Sequence, residues 1–278
     1  MKLPKKTDLP FFAYGAFRPG QLAFHRLKPF VGKIEKATVS GELRIRDGLP
    51  ILDRNGKKGV EGFVLFFNSS VSEEAYRSIA DLEPDAQYQW GEANAGNYLT
   101  NILFGRSPKK GSVSADDHDW DGQSDPLFTV ALEVVRETLK SNRAFDPNLK
   151  PMFHLQMAYL LLWSAIERYV SLRYHLGGKV TDKVKRLGEE TAFAEAMQSV
   201  NPNPREVCRA DKPEEILRLD AANPNRSLDY YYQIRSNIAH RGKAVRHDHD
   251  RMLEALEQLS AIFDFVVKRA FDEAKLTA

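Results

Sequence analysis

The pattern of hydrophobic positions in the first third of the chain is that of strands and turns. Up to about Gly105, short segments rich in β-branched or aromatic residues are bounded by glycine or proline, as is typical of β-strands. We expect strands at residues 11–14, 37–43 and 60–67. One helix is expected among them at residues 72–82, with Ser72 as its N-cap.

After Pro126 the hydrophobic period becomes that of helices. One stripe at steps of three and four runs through Leu155, Tyr159, Leu162, Ile166 and Tyr169. A second runs through Met252, Leu256, Leu259, Phe263, Val266 and Ala270. A shorter stripe joins Leu228, Tyr231, Ile234 and Ile238, and a fourth helix is expected at residues 181–200. The second half is therefore predicted to be an all-helical bundle.

The change of period divides the chain into domains. Between residues 107 and 125 the composition shifts to serine, glycine, lysine and aspartate, which indicates a linker. We expect a first domain at residues 1–106, the linker at 107–125 and a helical domain at 126–278. The fold class that follows is α+β.

Charge and cysteine content limit the environment of the protein. Forty basic against 38 acidic residues leave a net charge of +2, so any binding of nucleic acid must come from a local patch. The lone Cys208 excludes an internal disulfide and fits a reducing compartment. The N-terminus has no apolar signal region, and no apolar stretch approaches the ~18 residues of a membrane span. We expect a cytoplasmic protein that does not enter membranes.

The candidate chemistry of the second half lies at the end of the third helical stripe. Arg235 and His240 are separated by four residues, and Arg241, Lys243 and Arg246 follow without an acid among them. An arginine can hold a phosphate and a histidine can move a proton near neutral pH, which suffices to cut RNA without a metal. We therefore expect Arg241, Lys243 and Arg246 to bind RNA.

The spacing of Arg235 and His240 constrains their geometry. Five residues along an ideal helix turn a side chain by about 140°, so the two side chains would diverge. Either the helix ends before Gly242, or two copies of the chain pair so that each supplies an Arg and a His to one cleft. The alternative is that Arg235 is an ordinary surface charge and His240 a residue at the negative end of the helix dipole.

The second half resembles the HEPN family of helical RNases and toxins. The resemblance rests on Arg235-Ser-Asn-Ile-Ala-His240, which fits the R-x-x-x-x-H signature, together with Glu167 on the long helix. It implies a homodimer that cleaves RNA without a metal or other cofactor. Arg235 would stabilise the charged phosphorane, His240 would shuttle protons and Asn237 would position the phosphate.

The first half resembles the γ-glutamylcyclotransferase fold, a mixed β-barrel-like domain. The residues that carry the resemblance are the loop Tyr14-Gly-Ala-Phe-Arg-Pro-Gly20, the segment at 41–50, and Asp81-Leu-Glu83 followed by Tyr88. The resemblance implies that the loop residues Tyr14, Gly15, Ala16 and Phe17 bind a carboxylate or an oxyanion. Glu83 would be the general acid/base that releases 5-oxoproline. The alternatives are a solvated acid at a helix end for Glu83 and a core aromatic for Tyr14.

Three functions remain open on the sequence. The leading one is a metal-independent RNA endonuclease of HEPN type with an accessory γ-glutamylcyclotransferase-like domain, which would suit a toxin or defence effector. The second is a cyclotransferase acting on a γ-glutamyl small molecule, with the helical bundle as its dimerisation module. The third is a non-catalytic RNA-binding scaffold. The pair His247 and His249 with their aspartates is discounted as a metal site, because no second pair with ligand spacing exists.

Overall fold

A computed structural model describes residues 1–115, 119–174, 179–241 and 248–275, without the side chains of Val180, His240 and Arg241. The chain divides into two compact units. The first comprises Met1–Asp125, Leu172–Gly177 and Phe271–Ala278. The second comprises Pro126–Ser171 and Gly178–Ala270. With one mixed sheet and several long helices, the α+β class is confirmed.

The first unit is built on a six-stranded mixed sheet. Its strands are β1 (Phe11–Ala13), β2 (Val31–Arg46), β3 (Leu49–Phe67), β4 (Tyr88–Ala95), β5 (Tyr98–Gly105) and β6 (Val113–Ser114). They are ordered β4-β5-β1-β3-β2-β6. β1 runs parallel to β5 and antiparallel to β3, and all other pairs are antiparallel. The three predicted strand segments are confirmed to within a residue inside β1, β2 and β3.

The long β2–β3 hairpin follows from its turn. Arg46 pairs with Leu49 across Asp47 and Gly48, whose φ angles are 51° and 74°. Asp-Gly with both φ angles positive is the two-residue turn whose twist matches that of the strands it joins. The hairpin therefore places Leu49 and Pro50 immediately after a tight turn, where they line the pocket described below.

Alternation along β1 buries both faces of the sheet. Phe11 and Ala13 pack in one hydrophobic cluster, and Phe12 and Tyr14 pack in another. This is the period-two arrangement of a strand that is covered on both sides.

The helix α1 (Ser72–Leu82) packs on the first of these clusters. It contributes Tyr76, Ile79 and Leu82 to the core. Its bounds match the prediction, but Val71 and not Ser72 is the N-cap, and no side chain caps this end. The two glutamates in its first turn complement the helix dipole instead.

Residues 107–125, which composition predicts as a linker, belong to the first unit. β6 pairs with β2, and the indole of Trp120 is buried and donates to the carbonyl of Gly48 at 3.1 Å. The carbonyl of Trp120 in turn accepts from Arg18 at 2.8 Å. One buried indole thus anchors a polar segment that composition alone marks as a loop.

The second unit consists mainly of helices. Its elements are α2 (Val130–Ser141), α3 (Lys150–Tyr174), α4 (Val180–Gly188), α5 (Thr191–Val200), β7 (Arg205–Cys208), β8 (Ile216–Leu219), α6 (Pro224–Arg241) and α7 (His249–Ala274), with the last residues of α3 and α7 assigned to the first unit. The stripes predicted for α3, α6 and α7 are confirmed. The fourth predicted helix is wrong as one element, because it ends at Gly188 and restarts at Thr191.

The expectation of an all-helical second half is also wrong at one place. β7 and β8 pair as an antiparallel hairpin, with Arg205 opposite Leu219 and Cys208 opposite Ile216. Four-residue strands are too short for alternation to show above the helical pattern around them.

None of the helices in the described part of the chain combines the length and the apolar character that a membrane span requires.

Candidate functional site

The first candidate site is a pocket in the first unit at the end of α1. Glu83 is the C-cap of this helix, and its N–H donates to the carbonyl of Ile79 at 3.1 Å. The pocket is lined by the loop of Tyr14, Gly15, Ala16 and Phe17, by Pro50 and Tyr88, and by the apolar side chains of Phe11, Leu49, Leu82 and Leu103. The structure thus brings together the predicted loop and the predicted acid/base.

The carboxyl of Glu83 is unusual in its surroundings. The residue is 7% exposed, and its Oε2 atom accepts no hydrogen bond within the described part of the chain. Burial raises the pKa of Glu83 to about 8, because loss of water penalises the charged form. The alternative of a solvated acid at a helix end therefore does not hold. A buried carboxyl with one unpartnered oxygen in a pocket is a candidate for a group that meets a ligand.

The loop beside Glu83 is fixed by its own backbone. Arg18 donates its N–H to the carbonyl of Gly15 at 2.9 Å, and Ala23 donates to the carbonyl of Ala16 at 3.1 Å. The N–H groups of Gly15, Ala16 and Phe17 have no acceptor among the residues that the structure describes. A Cβ atom at Gly15 would lie 2.7 Å from Cγ of Pro50, so only glycine fits against this proline.

The two tyrosines of the pocket are tied to backbone carbonyls. The hydroxyl of Tyr14 donates to Leu103 at 2.8 Å, and that of Tyr88 donates to Pro50 at 3.0 Å. Burial, and next the charge of Glu83, raises the pKa of Tyr14, which keeps the phenol neutral. Phe17 packs edge-on against Phe11 with ring centroids 6.0 Å apart. Tyr14 and Phe17 are therefore core residues as well as pocket walls.

The room in this pocket is small. About 30 Å³ is open to the centre of a water molecule, which is space for about two waters. The described lining carries the carboxyl of Glu83, the Tyr14–Phe17 loop and the tyrosine Tyr88, and is otherwise apolar. Such a set can exchange a proton with a bound amine and stabilise a developing oxyanion.

The second candidate site lies in the second unit, where α3 and α6 meet. Nη2 of Arg235 donates to Oε1 of Glu167 at 3.1 Å, and both side chains are about a quarter exposed. The guanidinium also lies 5.7 Å from the ring centre of Tyr232, whose ring contacts Trp163 edge-on at 5.3 Å. The structure therefore pairs the motif arginine with the acid of the long helix.

Asn237 is engaged in a different direction. Its Oδ1 accepts from the N–H of Ala210 at 3.2 Å and from Gln233 at 2.8 Å, and its Nδ2 donates to the carbonyl of Cys208 at 3.1 Å. The amide thus holds the β7–β8 hairpin against α6. Sequence reasoning missed this contact because it missed the hairpin.

The remaining predicted residues of this site cannot be placed. The side chains of His240 and Arg241, together with Lys243, Arg246 and His247, lie outside the described residues. Among described residues, no three histidine, cysteine or acidic side chains are grouped so that they could hold a metal ion. His249, of the discounted metal pair, is buried, and its Nδ1 lies 3.1 Å from Oδ1 of Asp250.

Comparison with known proteins adds little. No family model matches the chain, and no curated protein matches it. One solved structure, the uncharacterized protein PH0828 from Pyrococcus horikoshii, is similar to 40% of this chain over 89% of its own length, at 18% identity and a TM-score of 0.32. A likeness this weak carries no argument about fold or function, so the candidate sites rest on their geometry.

Proposed function

We propose that the first unit catalyses the cyclisation of a γ-glutamyl compound, releasing 5-oxoproline and an amine. The observation that supports this proposal is the buried carboxyl of Glu83, which has no partner for one oxygen and faces the pocket formed by the Tyr14–Phe17 loop. The resemblance to the γ-glutamylcyclotransferase fold rests on the same residues. Of the two predicted activities, this one has both of its principal groups, the Glu83 carboxyl and the loop N–H groups, among the described residues.

The chemistry requires one proton carrier and one oxyanion site. The carboxylate of Glu83 takes a proton from the substrate's α-amine, whose nitrogen then attacks the γ-carbonyl carbon. The loop N–H groups stabilise the oxygen that becomes negative. The bond from the γ-carbon to the leaving nitrogen breaks as Glu83 returns its proton to that nitrogen. A pKa of about 8 suits this exchange, because an acid/base works best near the ambient pH.

Substrate entry requires the pocket to widen. The present space for about two waters cannot hold a γ-glutamyl group. Phe17 is the largest side chain of the loop, and the family usually carries a smaller leucine there. We therefore expect Phe17→Leu to lower KM more than it changes kcat.

The test is release of 5-oxoproline by the full-length protein from a panel of γ-glutamyl amino acids, measured by chromatography. Glu83→Gln should abolish release while leaving the circular dichroism spectrum unchanged. Glu74→Gln is the matched control, because Glu74 is an exposed acid on the same helix. Two results would reject the proposal. One is equal activity of the Glu83→Gln and wild-type proteins. The other is that neither the wild type nor Phe17→Leu releases 5-oxoproline from any substrate of the panel.

A second candidate function is metal-independent RNA cleavage by the second unit. The specific observation in its favour is the pairing of Arg235 with Glu167, the two residues on which the HEPN resemblance depends. In this proposal two copies of the chain pair, and each supplies Arg235 and His240 to one cleft. Arg235 stabilises the phosphorane, and His240 moves the protons.

RNA cleavage is tested separately from cyclisation. Cleavage should persist in EDTA, leave a 2′,3′-cyclic phosphate and fall at least ~10²-fold in His240→Ala, as loss of acid–base catalysis predicts. Arg136→Ala is the control for loss of one arginine in the second unit. Cleavage that requires magnesium, or a protein that is monomeric at micromolar concentration, would contradict this proposal.

A further inference from the structure

The second unit contains a cavity whose lining includes neither Glu83 nor Arg235. It has a volume of about 380 Å³ and lies between the β7–β8 hairpin, α6 and the beginnings of α3 and α7. Its walls are mainly aliphatic, with Met152, Val207, Ile216, Ile234 and Met252 among them. A volume of this size with mostly apolar walls is that of a small-molecule site.

Four polar or charged side chains interrupt the apolar wall, namely Glu206, Asn237, Asp248 and Arg251. Asn237 lines the cavity, and its Nδ2 carries two N–H groups. One of them donates to the carbonyl of Cys208. Asp248 also lines the cavity, with its side chain 19% exposed. An amide donor and a carboxylate acceptor that line one largely apolar cavity can together bind the edge of a nucleobase, which carries both acceptors and exocyclic amines.

A second and more polar cleft adjoins the cavity. It has a volume of about 840 Å³, and its charged lining consists of Arg205, Arg218, Arg226 and Arg251 with the acids Glu206 and Asp220. Arg251 and Glu206 line both spaces, so the two are neighbours across β7. Four guanidinium groups around one cleft can supply the paired N–H donors that bind phosphate.

The arginines of this cleft are available to an anion. Arg205 pairs with Glu254 at 2.7 Å, Arg218 with Glu206 at 2.8 Å and Arg251 with Asp248 at 3.0 Å. All three arginines are at least two-fifths exposed, and the pair of Arg218 with Glu206, exposed on both sides, holds its partner most weakly. Arg226 forms no ion pair with a described residue. The pKa of Asp220 is lowered first by the hydrogen bond from Asn223 and then by the N–H of Ala222, and the charge of Arg226 adds to this.

We propose that the second unit binds a ribonucleotide, with the base in the aliphatic cavity and the phosphate in the adjoining arginine cleft. A purely apolar ligand would leave the arginines unused, and a simple anion would leave the cavity empty. The same chemistry is offered by a free nucleotide and by one nucleotide of an RNA strand. The inference does not rest on either proposed activity, because binding is its readout.

The test is calorimetric titration of the full-length protein in EDTA with the four ribonucleoside monophosphates, adenosine, ribose 5-phosphate and a pentaadenylate. At least one monophosphate should bind with Kd below about 1 mM, and ribose 5-phosphate at least about tenfold more weakly. A pentaadenylate that binds at least tenfold more tightly than AMP would identify a strand as the source. Equal affinities would identify the free nucleotide.

Two variants separate the base from the phosphate. Ile216 is 52% exposed, so Ile216→Trp should fill the cavity from its edge without disturbing the core, and nucleotides should then bind no better than ribose 5-phosphate. Val130→Trp is its control, at an equally exposed position of α2. Arg226→Ala should weaken the binding of monophosphates about tenfold and leave the binding of adenosine unchanged. Arg136→Ala is its control.

Three results would overturn the inference. The first is that none of the monophosphates and no pentaadenylate binds. The second is that ribose 5-phosphate binds as tightly as every nucleotide. The third is that both Ile216→Trp and Arg226→Ala leave the affinities unchanged. Because Arg226 is exposed, its variant tests the inference even if Ile216→Trp does not fold.

Discussion

Arg235 and Glu167 are joined by a hydrogen bond of 3.1 Å, although 68 residues separate them in the sequence. The bond links the long helix α3 to the helix that carries the R-x-x-x-x-H motif. A second atom of the same guanidinium, Nε, is buried and has no partner among the described residues. The pair therefore joins two helices that are distant in the sequence and stabilises their contact.

The first prediction measures this pair. In a double-mutant cycle of Arg235→Ala and Glu167→Ala, we expect a coupling energy of about 1 kcal/mol in the free energy of unfolding, because both side chains are partly buried. The exposed pair of Arg136 and Asp264 is the comparison and should couple by less than about 0.5 kcal/mol. Equal coupling in the two pairs would show that burial does not strengthen the contact of Arg235 with Glu167.

The second prediction follows from the raised pKa of Glu83. A carboxyl whose pKa rises from 4.5 to about 8 on folding stabilises the fold while it is protonated, and this stability is lost as pH rises. The free energy of unfolding of the wild type, measured in urea relative to that of Glu83→Gln, should fall by up to about 1.4 kcal/mol per pH unit between pH 4.5 and 8. A constant difference across this range would mean that Glu83 is not buried as described.

The third prediction concerns acid. Burial, and next the charge of Arg173, lowers the pKa of His25 to about 4, although a 2.7 Å contact of Nδ1 with the carbonyl of Leu22 opposes the shift. The folded protein therefore binds this proton less well than the unfolded chain, so stability is lost as pH falls from 6.5 to 4. His25→Gln and His25→Phe should both flatten the fall in melting temperature over this range. An unchanged slope in both variants would assign the acid sensitivity to other groups.

The fourth prediction concerns Asn237. Asn237→Ala should cost about 1–3 kcal/mol of stability, because it leaves the N–H of Ala210 and the carbonyl of Cys208 without their partner. Urea unfolding measures the cost, and faster hydrogen exchange at the amide of Ala210 locates it at the hairpin. Gln233→Ala removes one bond to the same amide but leaves the hairpin contacts intact, so its effect should be smaller. If the two variants cost the same, Asn237 does not anchor the hairpin.

Elements with a strong local signal could be predicted from the sequence. The apolar stripes of α3, α6 and α7 and the bounds of α1 follow from periodicity, because a helix must bury one face whatever it packs against. Residue patterns also indicated Glu83, the loop at Tyr14 and the Arg235 motif as candidate functional sites. It did not reveal the β7–β8 hairpin, whose strands of four residues are too short to show a period.

Only the tertiary structure decided the properties of the candidate groups. Whether Glu83 is a solvated acid or a buried one depends on Phe11, Pro50 and Leu103, which line the same pocket from strands that are distant in the sequence. Composition assigned residues 107–125 to a linker, and one buried indole at Trp120 places them in the first unit. The physical reason is common to both cases. Local sequence fixes which face of an element is apolar, whereas burial and pKa depend on the surroundings that the whole fold assembles.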